Sequence, residues 1–338
     1  MKSESKYIFS KGDLSRQDFS IKYKNEKGNF YLPIEKIKEI YCFNDITLST
    51  KLLDILSTAG IIVHFFNYYE NYIGTFYPKE SLISGRLVVK QAKTFENNRL
   101  YIAKAIVKGI AQNIRYVLYH YYRHGAKELK EAIDFYNKEV DRLLDKANDI
   151  KQILSVEGKI WAIFYSTFKY FLPEEFIINK RVKRPPDNPM NAMISFGNTL
   201  LYTKTIAQIY NTHLEQSISF LHEPSEARFS LSLDLSEVFK PAIVFRTIFD
   251  LVNNKRIKVE KHFEEKLNYS LLNEEGKKIF IESFEDRINK TFEHAKLNRK
   301  ITYKQAIKLD GYKLIKYITE NKEFRPFDLE EKIWDERK

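Results

Sequence analysis

This 338-residue chain has one cysteine, Cys42. A single thiol excludes an intrachain disulfide and every zinc or iron–sulfur centre built from several cysteines, and it fits a reducing compartment. No run of about 18 apolar residues occurs anywhere, and Met1-Lys-Ser-Glu-Ser-Lys6 lacks the hydrophobic core of a signal peptide. A cytoplasmic protein without a membrane span is expected. Also missing are the Gly-x-x-x-x-Gly-Lys-Ser/Thr phosphate loop, the Gly-x-Gly-x-x-Gly dinucleotide turn and the Gly-x-Ser-x-Gly nucleophile elbow. ATP-driven and acyl-transfer chemistry therefore have no support. There is no internal repeat and no low-complexity tract.

What the chain does have is rings and positive charge. Apolar residues make up 43% and aromatic residues 14%, with 22 Tyr and 25 Phe, so rings must supply much of the buried area. The formal net charge is +11, which favours a polyanionic partner such as nucleic acid or an anionic membrane. That charge is unevenly placed. Residues 1–78 hold 10 Lys/Arg against 9 Asp/Glu, so nearly all the excess lies in residues 79–338, and a polyanion should meet that part.

The first seventy-odd residues read as β-rich. Alternating runs occur at Phe19–Tyr23, Asn29–Ile34 and Glu39–Phe43, with a hairpin turn at Glu26-Lys27-Gly28. One helix interrupts them, with Ser49 as N-cap and Gly60 closing it, before strands at Ile61–Phe66 and Tyr72–Tyr77. From about Ser81 the hydrophobic period changes from 2 to 3.6. Helices are expected over residues 85–122, 126–147, 149–172 and 188–222, then with breaks from Ser230 to Asn321. The fold class is α+β: an N-terminal β domain (1–80), a larger all-α domain (81–322) and a tail (323–338), laid on the body or loose.

Four residues could carry chemistry: Glu157, His222, Asp234 and Glu237. Glu157 continues the apolar stripe Ile150, Ile153, Ile160, Phe164 and Phe168 of its helix, so its carboxylate points inward, where it must find a cation, a proton or a metal. Read alone, it fits an ion pair with a lysine or arginine equally well. Asp234 and Glu237, three apart, share a helical face, but they could also be a solvated acidic edge near a helix start. His222 is expected to end the helix over 188–222, where it could simply be a cap. A rival pair, His120 and His124, has the i,i+4 spacing of metal ligands but lacks a glutamate between them.

Several blocks, in order, resemble a known family. They are Glu157-Gly158, Arg184-Pro-Pro-Asp-Asn-Pro-Met-Asn191-Ala, Ser195-Phe-Gly-Asn-Thr-Leu-Leu201, Phe220-Leu-His222 and Leu233-Asp234-Leu-Ser-Glu237-Val-Phe-Lys-Pro241, with fainter matches near Gly12, Leu32 and Gly60. The chain resembles the CRISPR-associated integrases of spacer acquisition, metal-dependent DNA endonucleases. The resemblance implies a β-sandwich-like N-terminal domain used for dimerisation and a helical catalytic domain. It also implies that Glu157, His222 and Glu237 hold Mg²⁺ or Mn²⁺, with Asp234 a second acidic member of the catalytic set. Attack by a 3′-hydroxyl would join a protospacer end to the CRISPR repeat, and attack by water would cut DNA. Double-stranded DNA, a homodimer and a small ferredoxin-like CRISPR adaptation protein are the implied partners. The family pattern usually reads Phe-Arg-Pro where this chain has Phe239-Lys240-Pro241, so charge is kept and a bidentate fork is lost. Arg181, Lys183, Arg184 and Arg246 are candidate phosphate contacts. The competing readings are a non-catalytic DNA-binding scaffold and a nuclease of RNA.

Overall fold

The computed structural model describes residues 4–79, 82–178, 180–183, 185–224, 228–266, 269–294 and 297–330. Two compact units divide the chain, Met1–Ser81 and Leu82–Lys338.

The first unit contains β1 (Glu4–Ile8), β2 (Gly12–Gln17), β3 (Ser20–Asn25), β4 (Gly28–Pro33), β5 (Ile37–Cys42), β6 (Ile46–Leu48), α1 (Thr50–Ala59), β7 (Ile62–Phe66) and β8 (Tyr72–Phe76). They form two four-stranded sheets, ordered β1-β5-β7-β8 and β4-β3-β2-β6. Ile8, Ile37, Ile40, Cys42 and Val63 from one sheet meet Leu14 and Ile21 from the other, and Leu52 and Leu56 of α1 close the same core. Burial pushes the Cys42 thiol up to about 12, which makes it an inert core residue. The expected cap is present: the Ser49 hydroxyl accepts from the Leu52 N–H at 3.3 Å. Gly60 ends α1 at φ 64°, a left-handed conformation that glycine adopts without Cβ strain. The sequence pattern missed β1, β2 and β6. Only Leu14 is buried in β2, so that strand carries almost no alternation to read.

The second unit is predominantly helical. Its helices are α2 (Gly85–Arg123), α3 (Lys130–Lys146), α4 (Ile150–Ser166), α5 (Pro189–Tyr210), α6 (Ser230–Phe239), α7 (Arg246–Asn253), α8 (Val259–His262), α9 (Glu274–Asn289) and α10 (Tyr303–Glu320). Two hairpins interrupt them, β9 (Phe263–Lys266) with β10 (Tyr269–Leu272), and β11 (Thr291–His294) with β12 (Arg299–Thr302). The all-α expectation is corrected to that extent. Four-residue strands are too short to show a period against helical flanks.

α5 is buried around nearly its whole circumference and runs through the core. Asn188 caps it, accepting from the Asn191 N–H at 2.9 Å, with Pro189 at its first position. A Cβ on Gly197 would lie 2.6 Å from Val244 Cγ1, so glycine is what lets α5 approach the wide π-turn Pro241–Phe245 that joins α6 to α7. The described part of the tail is laid on the body. Phe324, Phe327 and Leu329 are buried, and the Phe327 N–H donates to Asp310 at 2.7 Å. Among the described residues, no helix is long and apolar enough to cross a membrane.

The largest departure from the sequence reading concerns His222. The helix expected over 188–222 ends at Tyr210, and residues 211–222 form an irregular segment. The Thr212 hydroxyl bonds back to the Ile209 carbonyl at 2.7 Å, and the Gln216 amide turns in to the Ile206 carbonyl at 3.2 Å, which folds the chain back on α5. His222 therefore belongs to a loop and caps no helix.

Candidate active site

α4 builds one wall of a cleft of about 650 Å³. Asp149 caps this helix by accepting from the Gln152 N–H at 2.8 Å, and Ile153, Ile160 and Phe164 anchor it in the core. Glu157, Trp161 and Tyr165, spaced by four, then fall on one stripe, and with Lys169 just beyond the helix they line the cleft together. Ile177, Ile178, Lys180, Arg181 and Lys183 supply a second side, and Asn198, His222, Glu237 and Lys240 complete it.

The imidazole is held at one ring nitrogen and through the backbone of its loop. The Asp234 carboxylate, 0% exposed, accepts from the N–H groups of Phe220 at 2.6 Å, Leu221 at 2.8 Å and His222 at 3.0 Å. It also meets His222 Nδ1 at 2.8 Å. An ionised carboxylate can only accept, so Nδ1 carries the proton and Nε2 is the nitrogen left for the cleft. The loop's carbonyls are taken from the other side. Arg99 of α2 donates to the Phe220 carbonyl at 2.9 Å and the His222 carbonyl at 3.3 Å, and Ser219 Oγ donates to the latter at 2.8 Å. Burial alone would lower the His222 pKa, but the hydrogen bond and charge of Asp234, with Glu237 behind, outweigh it and raise it.

Glu237 is in a different state. It is 5% exposed, one oxygen pairs with the Lys240 ammonium, and the other, Oε2, is buried with no hydrogen-bond partner. Glu157 is raised above the usual carboxylate range, first by burial and then by the Glu237 charge, with Lys240, His222 and Trp161 opposing. Two carboxylates that repel each other and one orphaned oxygen are what an added cation would relieve. An oxygen-rich set with one imidazole suits Mg²⁺ or Mn²⁺. The three candidate ligands share the cleft without forming a closed cage. Among the described residues, no three His, Cys, Asp or Glu side chains are drawn close enough to hold an ion as they stand.

Asp234 needs correcting as a direct participant. Both its oxygens are used by the His222 loop, so it positions the imidazole. Of the expected phosphate contacts, Lys183 lines the cleft, its pKa lowered by desolvation and then by Lys240. Arg181 also lines it, but its guanidinium donates to Asn191 Oδ1 at 3.0 Å and Ser195 Oγ at 2.9 Å, so it braces the segment against α5. Arg246 is absent from the cleft wall and sits beside His120, whose pKa is lowered by burial and then by that guanidinium. Arg184 lies outside the described residues. The His120 and His124 rings lie 4.4 Å apart and tilted by 41°, with His124 Nδ1 against the His120 carbonyl at 2.7 Å. A bonded nitrogen and a neighbouring guanidinium argue against a cation there.

Sequence reasoning missed Trp161, Tyr165 and Lys169, although the four-residue spacing from Glu157 was available to find them. It could not have found Gln91, Arg99 or Asn113 of α2. The Gln91 amide bonds the Glu215 and Ile218 carbonyls at 2.9 and 3.0 Å and accepts from the Glu215 N–H at 3.1 Å. Asn113 ties the Val238 carbonyl of α6 to the tail at Phe327 and Leu329. These partners lie more than a hundred positions away, where no spacing rule reaches.

The family model for CRISPR associated protein Cas1 matches residues 6–286. A protein of Fusobacterium nucleatum subsp. nucleatum described as CRISPR-associated endonuclease Cas1 is 42% identical over 326 residues, covering 96% of each chain. The solved structure of a CAS1 protein from Thermotoga maritima superposes with a TM-score of 0.85 at 37% identity, covering 95% of this chain and 98% of that one. A casposase bound to its integration product shares the fold, with a TM-score of 0.83 at 20% identity over 100% of this chain and 99% of its own. From the family match across most of its length, and from a relative this similar end to end, the chain belongs to the CRISPR-associated Cas1 family.

Proposed function

We propose that this chain is a divalent-metal-dependent DNA endonuclease and integrase that inserts DNA fragments into a CRISPR array. The observation that carries the reading is the cleft itself: Glu157, Glu237 and His222 line it together, Oε2 of Glu237 has no partner, and lysines surround them. The endonuclease named among its relatives and the casposase of like fold held with an integration product support the same chemistry.

Glu157, Glu237 and Nε2 of His222 are the groups that would hold Mg²⁺ or Mn²⁺. Bound there, the ion supplies Lewis-acid chemistry, lowering the pKa of a hydroxyl and offsetting charge on the phosphodiester. The residues do the rest. Asp234 keeps the proton on Nδ1, so Nε2 presents its lone pair to the cleft, where it would serve as a ligand. Lys180 and Lys183 border the cleft and attract the phosphate backbone without reading bases. Arg181 holds that border in place through Asn191 and Ser195. Attack by a 3′-hydroxyl joins a fragment to the repeat, and attack by water cuts. A homodimer, a small ferredoxin-like CRISPR adaptation protein, double-stranded DNA and a cytoplasmic setting belong to the same reading.

The test compares parental protein with Glu157→Ala and His222→Ala on DNA in Mn²⁺, with folding checked by circular dichroism and DNA binding by gel shift. Both variants should bind DNA yet lose cutting and strand transfer by at least a hundredfold. A 3′-deoxy end should abolish strand transfer and spare hydrolysis. Parental rates in either variant would remove the site, and faster cutting of RNA than of DNA would remove the substrate.

A further inference from the structure

Asn198 lines the same cleft as Glu157, His222 and Glu237. It belongs to a polar stripe on α5, where Asn191, Ser195 and Asn198 follow at spacings of four and three. Arg181 takes the first two, donating to Asn191 Oδ1 at 3.0 Å and to Ser195 Oγ at 2.9 Å. The third is left over. Asn198 Oδ1 is shut off from water and has no hydrogen-bond partner. Such an oxygen is unfavourable in the free protein, so it calls for a donor that arrives with a ligand. The helix cannot shift to relieve it, because Gly197 seats α5 against Val244 of the π-turn and Leu200 and Leu201 are buried. The amide itself can turn. Its terminal torsion is broad, and nothing bonds the oxygen in place.

The chemistry of DNA narrows the choice of donor. Phosphodiester oxygens only accept, and Lys180, Lys183 and Lys240 in the cleft wall supply donors for them. Glu157 and Glu237 are the charged oxygens suited to a cation. A neutral acceptor suits an O–H group instead, and the attacking hydroxyl is the O–H that joining and cutting both require.

We propose that Asn198 is a catalytic residue whose Oδ1 accepts the hydrogen bond of the attacking hydroxyl and so aims its oxygen at phosphorus. The inference deepens the endonuclease and integrase reading above and rests on it. In strand transfer the 3′-oxygen forms its bond to phosphorus as the bond from phosphorus to the leaving oxygen breaks. The hydroxyl's proton passes to water, and the leaving oxygen takes one from water. An amide oxygen is far too weak a base to keep that proton, so Asn198 orients the hydroxyl without deprotonating it.

The test is a cycle between the amide of the protein and the hydroxyl of the DNA. Fragments ending in a 3′-hydroxyl, a 3′-deoxy or a 3′-fluoro group are bound to the full-length protein in Ca²⁺. Affinity is read by fluorescence anisotropy, and intact ends are checked on a gel. Parental protein should hold the hydroxyl end about fivefold tighter than either other end, the net worth of one hydrogen bond. Fluorine is close to a hydroxyl in size and has no proton to give, so this comparison needs no change in the protein. In Asn198→Leu the preference should vanish, and strand transfer and cleavage should slow about tenfold at saturating DNA. Mn²⁺ affinity should stay within about twofold of the parent, because the metal ligands are untouched. The melting temperature should not fall, since leucine replaces an amide whose oxygen has no partner. A preference that survives Asn198→Leu, or a fluoro or deoxy end held as tightly as the hydroxyl by the parent, overturns the inference. Weaker Mn²⁺ binding in the variant also overturns it and makes Asn198 a ligand of the ion. Cutting and joining by the parental protein stand in all of these cases. A parental protein that neither cuts nor joins DNA removes the underlying reading as well.

Discussion

The two walls of the cleft are built by different means. Around His222, nearly every polar group has a counted partner: Asp234 takes three backbone N–H groups and the ring, while Arg99 and Ser219 take the carbonyls. Gln91 and Gln216 do the same for the approach to it. The α4 wall is packed largely from rings, with Trp161 stacked on Tyr165 and both tilted against Phe245. A fully satisfied network is stiff, because moving one member strands several buried groups at once. The imidazole is thus held by its network, whereas Oε2 of Glu237 has no partner to hold it. The contrast also separates the neighbours on α6. Asp234 has no capacity left, and Glu237 has an oxygen to offer.

The contrast is most severely tested at Asp234. Asp234→Ala strands three N–H groups and the ring nitrogen, at a cost of about 3–5 kcal/mol, so the melting temperature should fall by roughly 10 °C and activity by about a hundredfold. A melting temperature within 2 °C of the parent would mean the loop is held some other way. Gln91→Leu comes next. It removes three bonds that hold the loop from α2, worth about 2–3 kcal/mol, and Mn²⁺-dependent cleavage should drop about tenfold with DNA affinity unchanged. Loss of DNA binding in step with cleavage would instead make Gln91 part of the substrate surface. Smallest is Lys240→Met, beside Glu237 at the end of α6. Losing a resident ammonium beside Glu237 should tighten Mn²⁺ binding, by about fivefold for an effect near 1 kcal/mol. Calorimetry showing weaker binding would make Lys240 an essential part of the metal-loaded arrangement.

Much of this was legible before any coordinates. Ser49, Gly60, Asp149 and Asn188 mark helix ends because a cap needs only its own few neighbours. Glu157 faces inward because 3.6 residues per turn puts it in line with Ile153 and Ile160, and the same rule reaches Trp161 and Tyr165. The helix wrongly continued to residue 222 shows the limit. Apolar residues persist through Ile218, Phe220 and Leu221, so hydrophobicity gives no sign that the chain has turned back.

Local periods and caps, then, settled which segments coil, where α4 and α5 begin and which edge of α4 is buried, since each depends on atoms a few positions apart. Packing alone decided that residues 211–222 leave the helix and fold against α6, that Asp234 is spent on orienting an imidazole, and that Arg246 turns toward His120 and away from the cleft. Those outcomes depend on hydrogen bonds and charges from chain segments that meet only after folding, such as Arg99 with Phe220 and Asn113 with Val238, and no pattern within a segment encodes its distant partner.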